Sequence, residues 1–73
     1  MAVTRRAIEE HDVVRFLEPT HGWPAGTEGT VVAMHPEALM VEISDDEGAA
    51  LDFVWVPDRL LEVTWIQGVT AVA

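Results

Sequence analysis

The sequence predicts a small all-β domain with five short strands. From residue 12 onward, β-branched and aromatic residues gather in strand-length runs, clusters of Gly, Pro and Asp separate these runs, and no sustained helical apolar stripe occurs. The 73 residues allow one small core, and 49% of them are hydrophobic, unlike a disordered acidic tail. Because the chain has no cysteine, burial and backbone pairing alone must stabilise the domain.

The first strand is predicted at 12–17. Its alternation places Val14 and Phe16 on the inner face and Arg15 on the outer face. A long loop follows at 18–26, because two Pro and two Gly residues interrupt regular pairing there.

The second and third strands are predicted at 29–34 and 39–43, joined by a turn at 35–38. The third strand alternates cleanly, so one face is apolar and the other faces solvent. The residues of its apolar face are Leu39, Val41 and Ile43.

The fourth strand is predicted at 51–56, after an acidic turn at 44–48 that ends in glycine. Three bulky side chains share one face of this strand, and we expect them to point into the core. They are Leu51, Phe53 and Trp55.

A single 3₁₀ turn at 57–60 is predicted before the last strand at 61–66. The order of these elements, with a long loop after the first strand, is typical of a five-stranded SH3-like small barrel, in which closing the sheet removes most edges. An OB-type barrel is the alternative, but it needs a helix for which the 44–50 segment is too short. We therefore expect a flexible lead-in at 1–11, a barrel at 12–66 and an apolar tail at 67–73.

One segment carries a family resemblance. Residues 26–32 read Gly-x-x-Gly-x-Val-Val, after an Asp-Val-Val-Arg-Phe strand at 12–16 and before the runs 40–43 and 56–63. In these features the chain resembles a bacterial family of small, functionally uncharacterised SH3-like barrel proteins related to the C-terminal barrel of the nitrile hydratase β subunit. The resemblance covers 10–63.

The same Gly-x-x-Gly-x-Val run is similar to the turn of KOW modules, which contact RNA or transcription machinery. Gly26 and Gly29 flank a tight turn that requires positive φ or close backbone approach. Thr27 and Glu28 stand where a nucleic-acid binder favours Lys or Arg, which argues against that function here.

The charge balance points the same way. Four arginines and no lysine oppose thirteen Asp and Glu, giving a formal net charge of −9 and a pI near 4.4. This negative field would repel bare nucleic acid and anionic membranes. With no secretory signal and no apolar run long enough to span a membrane, we expect a cytoplasmic protein.

No catalytic, cofactor or metal site is predicted. His11, His21 and His35 lack the spacing of a compact metal motif and are expected on exposed loops. The acidic pairs lack a surrounding pocket that would tune them for general acid/base catalysis, so we do not expect an enzyme. Arg59 is expected to pair with Asp58 or Glu62.

The function that this sequence favours is a non-enzymatic, acidic protein-interaction module. The most concrete form of this prediction is an immunity- or antitoxin-type inhibitor that binds a basic protein, because opposite charges accelerate association. The predicted contact residues are Trp23, Glu28, Asp45, Asp46 and Glu47. The Trp on the long loop is either such a contact or a lid folded onto the barrel.

Three alternatives stay open. The chain could be a structural or accessory subunit of a larger enzyme, as the nitrile hydratase resemblance implies, docking through Ile66 and 69–73. A KOW-like contact to RNA or polymerase is less favoured, and a homodimer through the last strand and tail is a further option. The acidity could also serve solubility alone.

Overall fold

A computed structural model of the chain describes residues 8–65, with side chains for 8–64. Five strands form, namely β1 (Val13–Phe16), β2 (Glu28–Met34), β3 (Leu39–Ser44), β4 (Ala50–Val56) and β5 (Leu61–Trp65). One 3₁₀ turn, Asp58–Leu60, precedes β5, and no α-helix occurs in the described residues. The all-β prediction and all five strand positions are confirmed. Three predicted parts lie outside the described residues: the first seven residues of the lead-in, Ile66 at the predicted end of the last strand, and the apolar tail at 67–73.

All five strands belong to one antiparallel sheet with the order β4-β3-β2-β1-β5. The first strand therefore lies between β2 and β5, although β5 is the last strand in the chain. Three register shifts interrupt the ladders, at β1/β5, β2/β3 and β3/β4. Such irregularities bend a strand and increase its twist, so the sheet curves around its apolar face.

That apolar face forms the core. The inner residues predicted for β1 and β3 are buried, and Arg15 is exposed as expected. Ile8 and Trp23, from outside the strands, pack against this core and are half-buried. The buried apolar residues are Val14, Phe16, Val31, Leu39, Val41, Ile43, Val54, Val56 and Leu61.

The prediction for β4 is wrong. Leu51, Phe53 and Trp55 are exposed, and the core instead receives the two valines between and after them, Val54 and Val56. The cause is the pairing with β3, which sets Val54 opposite buried Val41 and Val56 opposite Leu39. Cross-strand partners share a face, so the bulky residues must lie on the other side.

The two residues just before β1 form backbone hydrogen bonds with β2. His11 N donates to Val31 O at 2.7 Å, and Val31 N donates to Asp12 O at 2.9 Å. The side chain of Asp12 is only 1% exposed and accepts a hydrogen bond from Glu9 N at 2.8 Å. These bonds extend the β1–β2 pairing by two residues beyond the strand.

Candidate functional site

The acidic turn, Asp45–Glu47, lies between β3 and β4, and all three of its residues are exposed. Asp45 holds the turn in shape, since its Oδ1 accepts hydrogen bonds from Glu47 N and Ala49 N, both at 2.9 Å. Asp46 and Glu47 have no such role, and no cation within residues 8–65 pairs with either. The turn therefore presents two carboxylates that are free to meet a partner.

Glu28 lies at the same end of the sheet as the acidic turn. Glu28 is the first residue of β2, and β2 runs antiparallel to β3. The start of β2 therefore lies beside the end of β3, from which the acidic turn continues. The cross-strand neighbour of Glu28 is Arg15 on β1, so part of its field is neutralised within the protein.

Arg15 also forms an ion pair with Glu62 on β5, in which its guanidinium donates to the carboxylate. The hydrogen bond and charge of Glu62, with a smaller contribution from Glu28, raise the pKa of Arg15 above its usual value. The expected pairing of Arg59 with Asp58 or Glu62 is wrong, because Glu62 pairs with Arg15 and Arg59 forms no ion pair within the described residues.

Trp23 is packed against the protein itself. The loop 17–27 contains a miniature hairpin, in which Thr20 and Trp23 exchange two backbone hydrogen bonds of 2.9 and 2.8 Å. The two residues between them, His21 and Gly22, have φ of +53° and +83°, as in a type I′ turn. This turn directs the indole onto the core, where Nε1 donates to Asp52 Oδ2 on β4 at 3.0 Å. Trp23 therefore lies over the core, as expected for a lid, and does not project into solvent.

Sequence reasoning missed the apolar surface on the outer side of β4. Its residues, Leu51, Phe53 and Trp55, are 55%, 53% and 44% exposed, and we call them the apolar stripe. Half-buried Met40 of β3 pairs with Trp55 beside it. The sequence held one signal for this arrangement, since Val54 and Val56 make the second face of β4 apolar as well, but Asp52 on that face made alternation favour the wrong side.

Acidic residues lie near the apolar stripe, on the neighbouring strand β3 and in the turns on either side of that strand. The acidic turn precedes Leu51 in the chain, and Glu42 is the cross-strand partner of Phe53. At the far end His35 makes an edge-on ring contact with Trp55, with centroids 6.2 Å apart, and Glu37 follows in the same β2–β3 turn. The stripe is therefore an apolar surface with a carboxylate along one side, at Glu42, and further carboxylates in the turns at both ends of β3.

Two of the three histidines contact Trp55. His11 precedes β1, His21 donates from Nε2 to Trp55 O at 2.8 Å, and His35 contacts the Trp55 ring. Among residues 8–65, no group of three His, Cys, Asp or Glu side chains could hold a metal ion. No helix in this range has the length and apolarity needed to cross a membrane.

Comparison of the chain with protein-family models, curated proteins and solved structures finds no match.

Proposed function

We propose that the chain is an SH3-like barrel that acts as a non-enzymatic, acidic protein-interaction module for a basic partner protein. The strand order, the long loop after β1 and the 3₁₀ turn before β5 support this architecture. Closure is supported by the loop 17–27, whose His21 and Trp23 side chains reach across to β4 at the edge of the sheet.

The observation that carries the function is the imbalance of charge on the folded surface. All thirteen Asp and Glu residues of the chain fall within residues 8–65, where all but Asp12 are at least partly exposed and only two arginines occur. One of these, Arg15, is already paired with Glu62. A surface of this kind attracts cationic proteins from a distance and accelerates their association. The mechanism is steric and electrostatic masking, as in an immunity- or antitoxin-type inhibitor.

The hydrogen bonds within the acidic turn determine which of its carboxylates can be tested by charge reversal. Reversing the charge of Asp45 would also remove the two hydrogen bonds that shape the turn, so a loss of binding would be ambiguous. Asp46→Lys combined with Glu47→Lys changes the charge alone. The matched control is Glu18→Lys combined with Asp58→Lys, an equal change at two exposed residues away from this turn.

The experiment is affinity capture from a lysate of the source organism at low salt, followed by a salt gradient and mass spectrometry. We expect one basic protein to elute steeply with salt, to bind the control variant, and to bind the Asp46→Lys/Glu47→Lys variant at least tenfold more weakly. Equal binding by both variants and the native chain would contradict the proposal.

The second candidate, an accessory subunit of a larger enzyme, is favoured by the exposed apolar stripe, which suits a permanent interface. A partner that resists salt and is indifferent to Asp46 and Glu47 would support this function instead.

A further inference from the structure

The apolar stripe is not part of the core that residues 8–65 form. Leu51, Phe53 and Trp55 project from one side of a strand at the edge of the sheet, each about half exposed. Exposed aromatic residues rimmed by polar groups are typical of the centres of protein interfaces.

The charge around the stripe restricts its occupant. Negative residues lie in the turns at both ends of β3, in the acidic turn and at Glu37, and Glu42 lies beside Phe53. A second copy of this chain would bring another net charge of −9 against them, which opposes self-association. A partner segment with apolar residues in the middle and Lys or Arg at both ends is complementary.

Within residues 8–65, no strand pairs with the edge of β4 that faces away from β3, and the hydrogen bonds at this edge restrict the form of the partner segment. Phe53 N already donates to Asp52 Oδ1 at 2.9 Å, and Trp55 O already accepts from His21 Nε2 at 2.8 Å. Asp52 is itself held by the Trp23 indole. Because these side chains occupy the backbone groups that an added strand would need, pairing by strand addition is blocked at the centre of the edge.

We infer that the apolar stripe is the docking surface for a basic amphipathic helix of the partner, an inference that rests on the proposed function. A helix meets the exposed side chains without needing the backbone of β4. The stripe is about 13 Å long at the rise of a β-strand. It matches the apolar face of roughly nine helical residues at about 1.5 Å each, with the cations on the flanking turns.

The test uses designed peptides as probes. The first is a fluorescein-labelled Leu/Lys peptide with its leucines at the i, i+3, i+4 and i+7 positions of a helix and lysines at both ends. The second is a scrambled peptide of the same composition, whose leucines share no helical face. Fluorescence anisotropy of each peptide titrated with the full chain gives the two dissociation constants. We expect the amphipathic peptide to bind at least tenfold more tightly than the scrambled peptide.

Variants of the protein locate the binding surface. Phe53→Thr and Trp55→Thr remove exposed rings and keep a residue suited to a strand, so the core should be unaffected. Each should weaken binding of the amphipathic peptide at least tenfold. Leu17→Thr is the control, since Leu17 is equally exposed, at 49%, but lies in the loop after β1. It should stay within twofold of the native chain, and circular dichroism should show the same fold in all three variants.

The outcomes separate this inference from the proposed function. If both peptides bind equally and both are released by salt, the electrostatic function stands and the helix docking is overturned. If neither cationic peptide binds, both proposals fail. Binding that is insensitive to Phe53→Thr and Trp55→Thr would overturn the assignment of the surface. So would a native dimer in sedimentation velocity that Phe53→Thr dissociates, because the stripe would then belong to a second copy.

Discussion

Gly26, which precedes β2, and Gly29, the second residue of β2, meet different constraints, although the sequence pattern treats them alike. Gly26 has a φ of +90°, which favours glycine, but an added Cβ would meet no atom within 4 Å. Only its backbone conformation therefore requires glycine. Gly29 has no such φ, but a Cβ there would lie 2.5 Å from Val41 Cγ1 and 2.6 Å from Glu42 O. The first glycine allows the turn, and the second allows β3 to approach β2.

Alanine substitutions should separate these two constraints. Gly29→Ala is expected to lower the free energy of unfolding by about 2–3 kcal/mol, because a backbone oxygen of β3 must move to admit the methyl group. Gly26→Ala should lower it by about 1 kcal/mol, the cost of a left-handed conformation for a residue with a Cβ. Urea denaturation measures both changes. A larger loss at Gly26 than at Gly29 would contradict the close approach of the two strands.

His11 is a second position where backbone conformation limits stability. Its φ is +76°, and the one ion pair of its exposed side chain among residues 8–65 joins Nε2 to Glu10 Oε2 at 3.8 Å. His11→Gly should raise the free energy of unfolding by about 0.5–1 kcal/mol, and His11→Val should lower it by about 1–2 kcal/mol, because a β-branched residue is strained at positive φ. The control is His35→Gly, at a residue outside the positive-φ region, which should destabilise the protein in the same urea titration. A gain at both positions would rule out backbone strain as the cause.

At the scale of elements, the alternation of apolar and polar residues located every strand but predicted the buried face of only some of them. β1 and β3 each have a polar outer residue, Arg15 and Glu42, which identifies the inner face from sequence alone. β4 carries its polar residue, Asp52, on the same side as its buried valines. The sequence rule therefore pointed the wrong way, since only the register with β3 determines the face.

The loop 17–27 shows a second limit of sequence reasoning. Its Gly and Pro content predicted a long excursion, and that is confirmed. Its contacts could not be predicted, because Trp23 bonds to a residue 29 positions away and His21 to one 34 positions away. Nothing local in the sequence encodes such pairs; they follow from the curvature of the whole sheet. For the same reason, the sequence named the acidic turn as a candidate site and missed the apolar stripe beside it.

The contact between this loop and β4 should be measurable as a coupling energy. Trp23→Phe removes the indole N–H and keeps a ring against the core, and Asp52→Ala removes the acceptor. A double-mutant cycle should give a coupling of about 1 kcal/mol, typical of a partly buried hydrogen bond to a carboxylate. The cycle of Trp23→Phe with Asp58→Ala is the control and should show none. Additivity in the first cycle would mean that the loop is held by apolar packing alone.

For the whole molecule, the acidic surface opposes folding. Residues 8–65 hold thirteen carboxylates on a domain with a radius of gyration of 12.2 Å, where few neutralising cations are available. Self-repulsion of this kind destabilises the folded state relative to the expanded chain. The interaction function proposed here would explain why the protein carries that charge, since a cationic partner would neutralise it.

Salt should therefore stabilise the free protein. Raising NaCl from about 0.02 to about 0.5 M shortens the Debye length from about 20 Å to about 4 Å, which screens repulsion across the domain. We expect the free energy of unfolding in urea to rise by about 1 kcal/mol, because the folded chain holds its charges closer together than the unfolded chain does. The variant Asp46→Asn/Glu47→Gln carries two fewer negative charges and should be more stable at low salt and less sensitive to NaCl. A fall in stability with salt would show instead that attraction within pairs such as Arg15–Glu62 outweighs the repulsion. In that case the acidic surface would cost the fold little, and a neutralising partner would not be needed to account for it.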